Sequence, residues 1–266
     1  YAQVEEASDS GSARIAVQTH SGSAAWVGSR LVADGPEVVE SGVDPRYAWQ
    51  RVRLELRPGE PRLLVKYSAV TGEPSAEDRE SGIARDGEAF LAAAVDAGWS
   101  ELRTEHVAEW DSLWRDANIR LHGDAVLDRR LRFSVYSMLR AHRSGISSFA
   151  VCPKGHAGEA YFGRYFWDTE IYLLPFYIHS RPNHARDLLR YRLRTLQGAR
   201  RNAKRYGYAG AKFAWEADGA GDEHCPNWQY ADHEIHVTAD VALALAHYVR
   251  ATGDASVTTR GDTVTY

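Results

Sequence analysis

Apolar and polar positions alternate along the first quarter of the chain and recur at helical spacing along the rest. Arg51-Val52-Arg53-Leu54-Glu55-Leu56 alternates strictly, the pattern of a strand with one face in water. It closes a run from Ala48, and three further runs, Ala13 to Thr19, Ala25 to Val32 and Pro61 to Ala69, are bounded by Gly, Pro, Asp or Ser. Pro58-Gly59 is a turn signal between the last two runs. Successive short strands joined in this way predict an antiparallel β-sandwich over residues 1–75, and the abrupt start predicts only part of one.

Residues 72–87 are polar and carry Gly72, Pro74 and Gly82, so a boundary is expected there. Linker helices are predicted over residues 76–118. Leu102, His106, Trp110 and Leu113 share one helical face, Ser100 is placed to cap it, and Trp110 and Trp114 read as core. An extended link, Ile119 to His122, leads to Gly123-Asp124 and a helix with Leu127, Leu131, Val135 and Met138 on one face. A further helix is expected from Asp168, capped by its side chain, bearing Ile171, Leu174 and Ile178 and kinked at Pro175. The next starts at Pro182, presents Ala185, Leu189, Leu193, Leu196 and Ala203, and ends at Gly207. Thr238 or Asp240 opens a last helix, with Val241, Leu245, Tyr248 and Val249, which Gly253 ends. Residues 119–254 thus form a helical domain, and residues 255–266 are a tail with no assignment. Two long loops, 144–166 and 207–236, are separated by two helices. In a ring of helix hairpins every second connection emerges on the same face, so both loops should meet over one mouth.

Composition narrows the class. The 266 residues carry a net charge of −4 with arginines interleaved among acids, which excludes a strongly basic surface for nucleic acid or an anionic membrane. No run of about eighteen apolar residues occurs, so no membrane span is expected. Two cysteines, Cys152 and Cys225, do not make a disulfide framework, and a cytoplasmic location is the default. The chain begins with Tyr1 rather than Met, so its natural start is expected upstream.

The chemistry concentrates in the two loops. Tyr161 to Glu170 packs five aromatic rings, one cation and two carboxylates into ten residues. Rings stack on the apolar face of a pyranose and carboxylates accept hydrogen bonds from its hydroxyls, so this composition suits a sugar. The competing reading is a buried aromatic knot with a helix cap. Asp168, Glu170, Glu216, Asp222, Glu223, Glu234 and Asp240 could supply the paired acids of glycoside chemistry, and spacing alone does not choose between them. His224, Cys225, His233 and His236 do not follow a zinc-ligand spacing, so no metal is expected. There is no phosphate-cradling P-loop and no nucleophile elbow.

Lys154-Gly155, Gly158-Glu159, Phe166-Trp167-Asp168-Thr169-Glu170-Ile171 and Leu174-Pro175 resemble, in this order, the signature of glycoside hydrolase family 65. Ala185 to Arg192, Gly207 to Glu216 and Glu234 to Val241 continue the resemblance, which covers about residues 150–254. The family includes maltose, trehalose and kojibiose phosphorylases and acid trehalases. The resemblance implies an N-terminal β-sandwich, linker helices and the first helices of an (α/α)6 barrel. It implies cleavage of an α-glucosyl disaccharide with inversion, by phosphorolysis to β-glucose 1-phosphate with inorganic phosphate as co-substrate and no cofactor. Hydrolysis, of the trehalase or kojibiose hydrolase type, is the alternative, and a non-catalytic sugar-binding fragment is a third reading. By position Trp167 and Asp168 would line the glucose pocket, with Trp215 and Glu216 nearby. The family's general acid is a Glu in a Gly-Pro-Asp-Glu motif, expected beyond residue 266, so no catalytic residue is assigned within the chain. A homodimer is compatible with the family. Phe162-Gly163-Arg164 stands where Arg-Gly-His is common, and Ala214 where Pro is usual.

Overall fold

The computed structural model describes residues 3–8, 12–18, 24–34, 38–73, 80–142, 145, 149–155 and 160–258. They divide into two compact units, one up to Trp110 and one from Asp111.

The first unit contains β1 (Gln3–Ser8), β2 (Ala13–Gln18), β3 (Ala24–Ala33), β4 (Val38–Asp44), β5 (Tyr47–Arg53) and β6 (Leu64–Glu73). Every pairing is antiparallel: one sheet runs β1-β2-β3-β6 and the other is the β4-β5 hairpin. The four predicted strands appear as β2, β3, β5 and β6, with ends shifted by up to four residues. The Pro58-Gly59 turn is present, with Arg57 bridged to Glu60 and Gly59 at φ 81°. β1 and β4 are not foreshadowed by the pattern. Gln3-Val4-Glu5-Glu6-Ala7-Ser8 is mostly polar, and pairing with β2 rather than an apolar rhythm makes it a strand.

α1 spans Glu80–Ala117, so helix has already begun inside the polar stretch expected to be a boundary. It is interrupted at Gly98, whose φ of 77° and ψ of 165° are open to glycine. The expected helix start is thus a break within a longer helix, two residues before Ser100. The core of this unit is Trp26, Tyr67 and Leu91. A Cβ on Gly28 would come within 2.1 Å of the Trp26 ring and one on Gly87 within 2.2 Å, so two glycines let the indole lie between sheet and helix.

The second unit holds α2 (Ala125–Ala141), α3 (Leu174–Ser180), α4 (Pro182–Arg194), α5 (Leu196–Arg205) and α6 (His236–Thr252). α2 begins as expected, the Asp124 carboxylate accepting from the Val126 and Leu127 amides at 2.9 and 3.0 Å. The core gathers Leu174, Tyr177, Leu188, Leu189, Val237 and Val241 from α3, α4 and α6, each 2% exposed or less. Gly253 ends α6 in the left-handed conformation, as expected.

Three helix expectations need correction. Asp168 lies at the start of the helical region, but its side chain caps nothing. A wide π-type turn, Thr169–Leu173, comes first, and α3 starts only at Leu174. Pro175 therefore sits in the first turn of α3, where a missing N–H costs little, rather than kinking a longer helix. The single helix expected from Pro182 to Gly207 is two, α4 and α5, divided at Thr195. The Thr195 hydroxyl bonds back to the Tyr191 and Arg192 carbonyls at 3.0 and 3.1 Å. Finally, α6 opens at His236 without a side-chain cap, because Thr238 and Asp240 are used elsewhere: Thr238 Oγ1 accepts from the Phe213 amide and Asp240 pairs with His236.

α5 meets the second loop through a glycine contact. A Cβ on Gly198 would lie 2.3 Å from the Ala220 carbonyl oxygen and 2.6 Å from the Gly221 carbonyl carbon. Backbone cannot yield as a side-chain tip can, so Gly198→Ala is expected to cost about 1–3 kcal/mol through overpacking. Thermal unfolding measures it; an unchanged melting temperature would mean that the turn moves aside freely.

Candidate functional site

The two rich loops do meet. The Tyr165 and Ala217 amides each donate to the other residue's carbonyl at 2.9 Å, and Ala217 also bridges to Glu223. Arg164 of the first loop pairs with Glu216 of the second at 2.8 Å. Before this junction Tyr161 and Phe162 both adopt positive φ, 61° and 54°, followed by Gly163 at 73°. Two consecutive non-glycine residues there are strained backbone, of the kind that surrounding structure must enforce.

Around the junction the rings form one cluster. Trp167 and Trp215 lie 6.2 Å apart. The His236 ring stands nearly perpendicular to both, 4.8 Å from Trp167 and 6.0 Å from Trp215. Phe166 is buried behind Trp215, while Tyr172 beside Trp167 and Tyr230 beside Trp215 are exposed. The aromatic knot therefore has a dry side and a wet side, with both tryptophans half-buried between them.

The tertiary structure separates the seven candidate carboxylates by task. Glu170 is consumed in a buried ion pair: Arg192 Nε and Nη2 donate to its two oxygens, both at 2.8 Å, with each side chain 1% exposed. Asp222 pairs with Arg201 at the surface. Glu223 is buried and accepts backbone amides. Glu234 and Asp240 flank His236, 3.1 Å from Nε2 and 2.6 Å from Nδ1. Glu216 is held by Arg164. Asp168 is half-buried, and its carboxylate makes no hydrogen bond or ion pair among the described residues.

Of the four residues singled out as substrate-binding, Trp167 and Trp215 are thus in ring contact, Glu216 is tied to the opposite loop, and Asp168 follows Trp167 with an uncommitted acid. His236 stands out in the sequence only as a rejected zinc ligand and within a motif. Its signal is the spacing Glu234-x-His236-x-x-x-Asp240, which sets one acid on each ring nitrogen.

Electrostatics follow burial. Desolvation pushes the Tyr165 phenol up to about 12, so it stays a neutral donor. Burial also raises the Cys225 thiol, which suits a packed rather than a reactive cysteine. Burial works against ionising Asp218, but the His224 ring and the Asp222 and Ala220 amides outweigh it and hold the carboxyl below its usual range. No group of three or more His, Cys, Asp or Glu residues able to hold a metal ion occurs among the described residues.

Rings and carboxylates thus gather where the two loops of the helical unit join. Residues 132–263 match the central catalytic domain of glycosyl hydrolase family 65, and this part of the chain belongs to that family. The chain is 41% identical over 171 residues to the kojibiose phosphorylase of Caldanaerobacter subterraneus, an overlap of 60% of this chain and 22% of that protein. It is 33% identical to the 1,2-alpha-glucosylglycerol phosphorylase of Bacillus selenitireducens over 84% of this chain and 30% of that protein. It is 34% identical to the protein-glucosylgalactosylhydroxylysine glucosidase of Gallus gallus over 82% of this chain and 32% of that protein. A solved structure from the human microbiome, provisionally described as a kojibiose phosphorylase, superposes with a TM-score of 0.79 at 23% identity, covering 93% of this chain and 33% of the other. At that identity the likeness concerns the fold. The chain spans between a fifth and a third of the length of these relatives. No described helix is long and apolar enough to cross a membrane.

Proposed function

We propose that this chain is the front part of an enzyme that cleaves an α-glucosyl disaccharide by phosphorolysis with inversion. The observation that carries the reading is the junction of the two loops, where the Trp167 and Trp215 rings lie 6.2 Å apart and Arg164 pairs with Glu216. Trp167 and Trp215 offer ring faces to glucose, and Asp168 and Glu216 accept bonds from its hydroxyls. A phosphate oxygen attacks the anomeric carbon from the face opposite the leaving sugar. The glycosidic C–O bond breaks, the leaving oxygen takes a proton, and β-glucose 1-phosphate and the second sugar are released. The proton donor is placed beyond residue 266, as the family resemblance implies, and no cofactor is needed. The names of the relatives support phosphorolysis of kojibiose or a related disaccharide.

In this reading residues 1–75 are part of a β-sandwich, residues 76–118 link it, and residues 119–254 are the first helices of an (α/α)6 barrel in the cytoplasm. Hydrolysis is the second reading, and the 34% identity to a glucosidase favours keeping it. The intact protein should release glucose 1-phosphate from one member of a panel of kojibiose, nigerose, maltose, trehalose and glucosylglycerol, and only with phosphate present. Free glucose without phosphate would establish hydrolysis instead, and no sugar released in either condition would sink both readings.

A further inference from the structure

Glu223 resembles a catalytic acid by its position after Gly221-Asp222, yet its surroundings give it another task. It is 7% exposed, and its carboxylate accepts three backbone amides. Trp215 N–H donates to Oε2 at 2.7 Å, and Glu216 and Cys225 N–H donate to Oε1, both at 3.0 Å. Two of those three amides belong to the residues that present a ring and an acid to the proposed sugar. The carboxylate is itself fixed from behind. Glu223 N–H donates to Asn202 Oδ1 at 3.1 Å, and Asn202 Nδ2 donates to the Gly221 carbonyl at 2.9 Å. Asn202 lies on α5, which meets the same turn through Gly198, so the anchor is rooted in a helix. The Lys212 ammonium donates to the Ala231 carbonyl.

We infer that Glu223 is a positioning residue for the sugar site: it sets the Trp215 ring and the Glu216 carboxylate and transfers no proton itself. Both oxygens are committed to amides of its own loop, and the side chain is closed off from solvent. A carboxylate suits this task because it has acceptor sites on both oxygens and no donor, whereas any amide side chain would turn an N–H against one of the three donors. The inference rests on the sugar-site reading above.

The test is Glu223→Gln in the intact protein, with two readouts. Hydrogen exchange at the Trp215, Glu216 and Cys225 amides reports the anchor without any substrate. Steady-state kinetics, on whichever disaccharide the wild type cleaves, report the positioning. The three amides are expected to exchange faster. A binding pair displaced by about 1 Å costs on the order of a hundredfold, so kcat/KM should fall ten- to a hundredfold while the pH profile keeps its shape. Unchanged exchange, or faster exchange with unchanged kcat/KM of the folded enzyme, overturns the role. So does a larger loss that removes one limb of the pH profile and is restored by added formate, the behaviour of an acid or base. If Glu223→Gln does not fold, Asn202→Ala withdraws the support behind the carboxylate and should lower kcat/KM about three- to tenfold with the same faster exchange; unaltered kinetics there overturn the role equally. A wild type that cleaves no disaccharide sinks the functional reading and this role with it. A competent wild type matched by Glu223→Gln sinks only the positioning.

Discussion

Arg192→Ala should lower the melting temperature further than Gly198→Ala or any change at Asp168. The Arg192 guanidinium makes both charged bonds to Glu170 and a third to the Phe166 carbonyl at 3.2 Å, in a site 1% exposed. Removing it leaves a carboxylate buried without its partner. Breaking a buried pair from one side costs about 3–5 kcal/mol. At about 2–4 °C per kcal/mol for a chain of this size, the drop is roughly 6–20 °C. The double replacement Glu170→Met with Arg192→Met removes both charges and should recover most of the loss, since the pair stabilises little against apolar groups of similar volume. A single-variant drop below about 3 °C, or a double variant as unstable as the single, would show that the pair does not hold this part of the fold. The pair also matters to the site. Phe166 and Glu170 bracket Trp167 and Asp168, so one guanidinium fastens both ends of the segment that carries them.

Asp168→Asn should show the opposite profile. The carboxylate caps no helix and pairs with no cation among the described residues, so its stability cost is expected to be within error. If Asp168 binds glucose as proposed, its bonds from the sugar hydroxyls lose their charge assistance, about 1.5–3 kcal/mol each, and kcat/KM of the intact enzyme should fall roughly ten- to a hundredfold. Asp168→Ala separates this from the cap expected on sequence grounds. A lost N-cap costs about 1 kcal/mol, whereas the observed geometry predicts no such loss. Melting temperature and sugar-dependent rate on both variants decide the matter. Normal kinetics with a lowered melting temperature would return Asp168 to a structural role.

Much of the site was legible because its signals are local. Glycines and aromatics in Tyr161 to Trp167 mark a loop whose composition suits a sugar, and the ordered motifs from Lys154 to Val241 carry the family. Helix faces such as Ala185, Leu189 and Val241 follow from spacing, because an amphipathic helix needs its stripe wherever it docks. The strands that the pattern missed, β1 and β4, show the limit: a polar segment becomes a strand when a neighbour offers its hydrogen bonds.

The helix boundaries failed for a related reason. Asp168, Thr238 and Asp240 are all good capping residues, but each could serve one partner at a time. The approach of the loops gave Thr238 to the Phe213 amide, the helical spacing within α6 gave Asp240 to His236, and Asp168 has no partner among the described residues. Composition and spacing thus determined that this chain has an antiparallel β part, a helical part, and two loops rich in rings and acids. The tertiary structure alone decided which acid does what. Carboxylates look alike in the sequence; what distinguishes Glu170 beside Arg192, Glu223 under three amides and Asp168 with no partner among the described residues is the burial and the company that folding brings, and those come from a helix further along the chain or from across a turn.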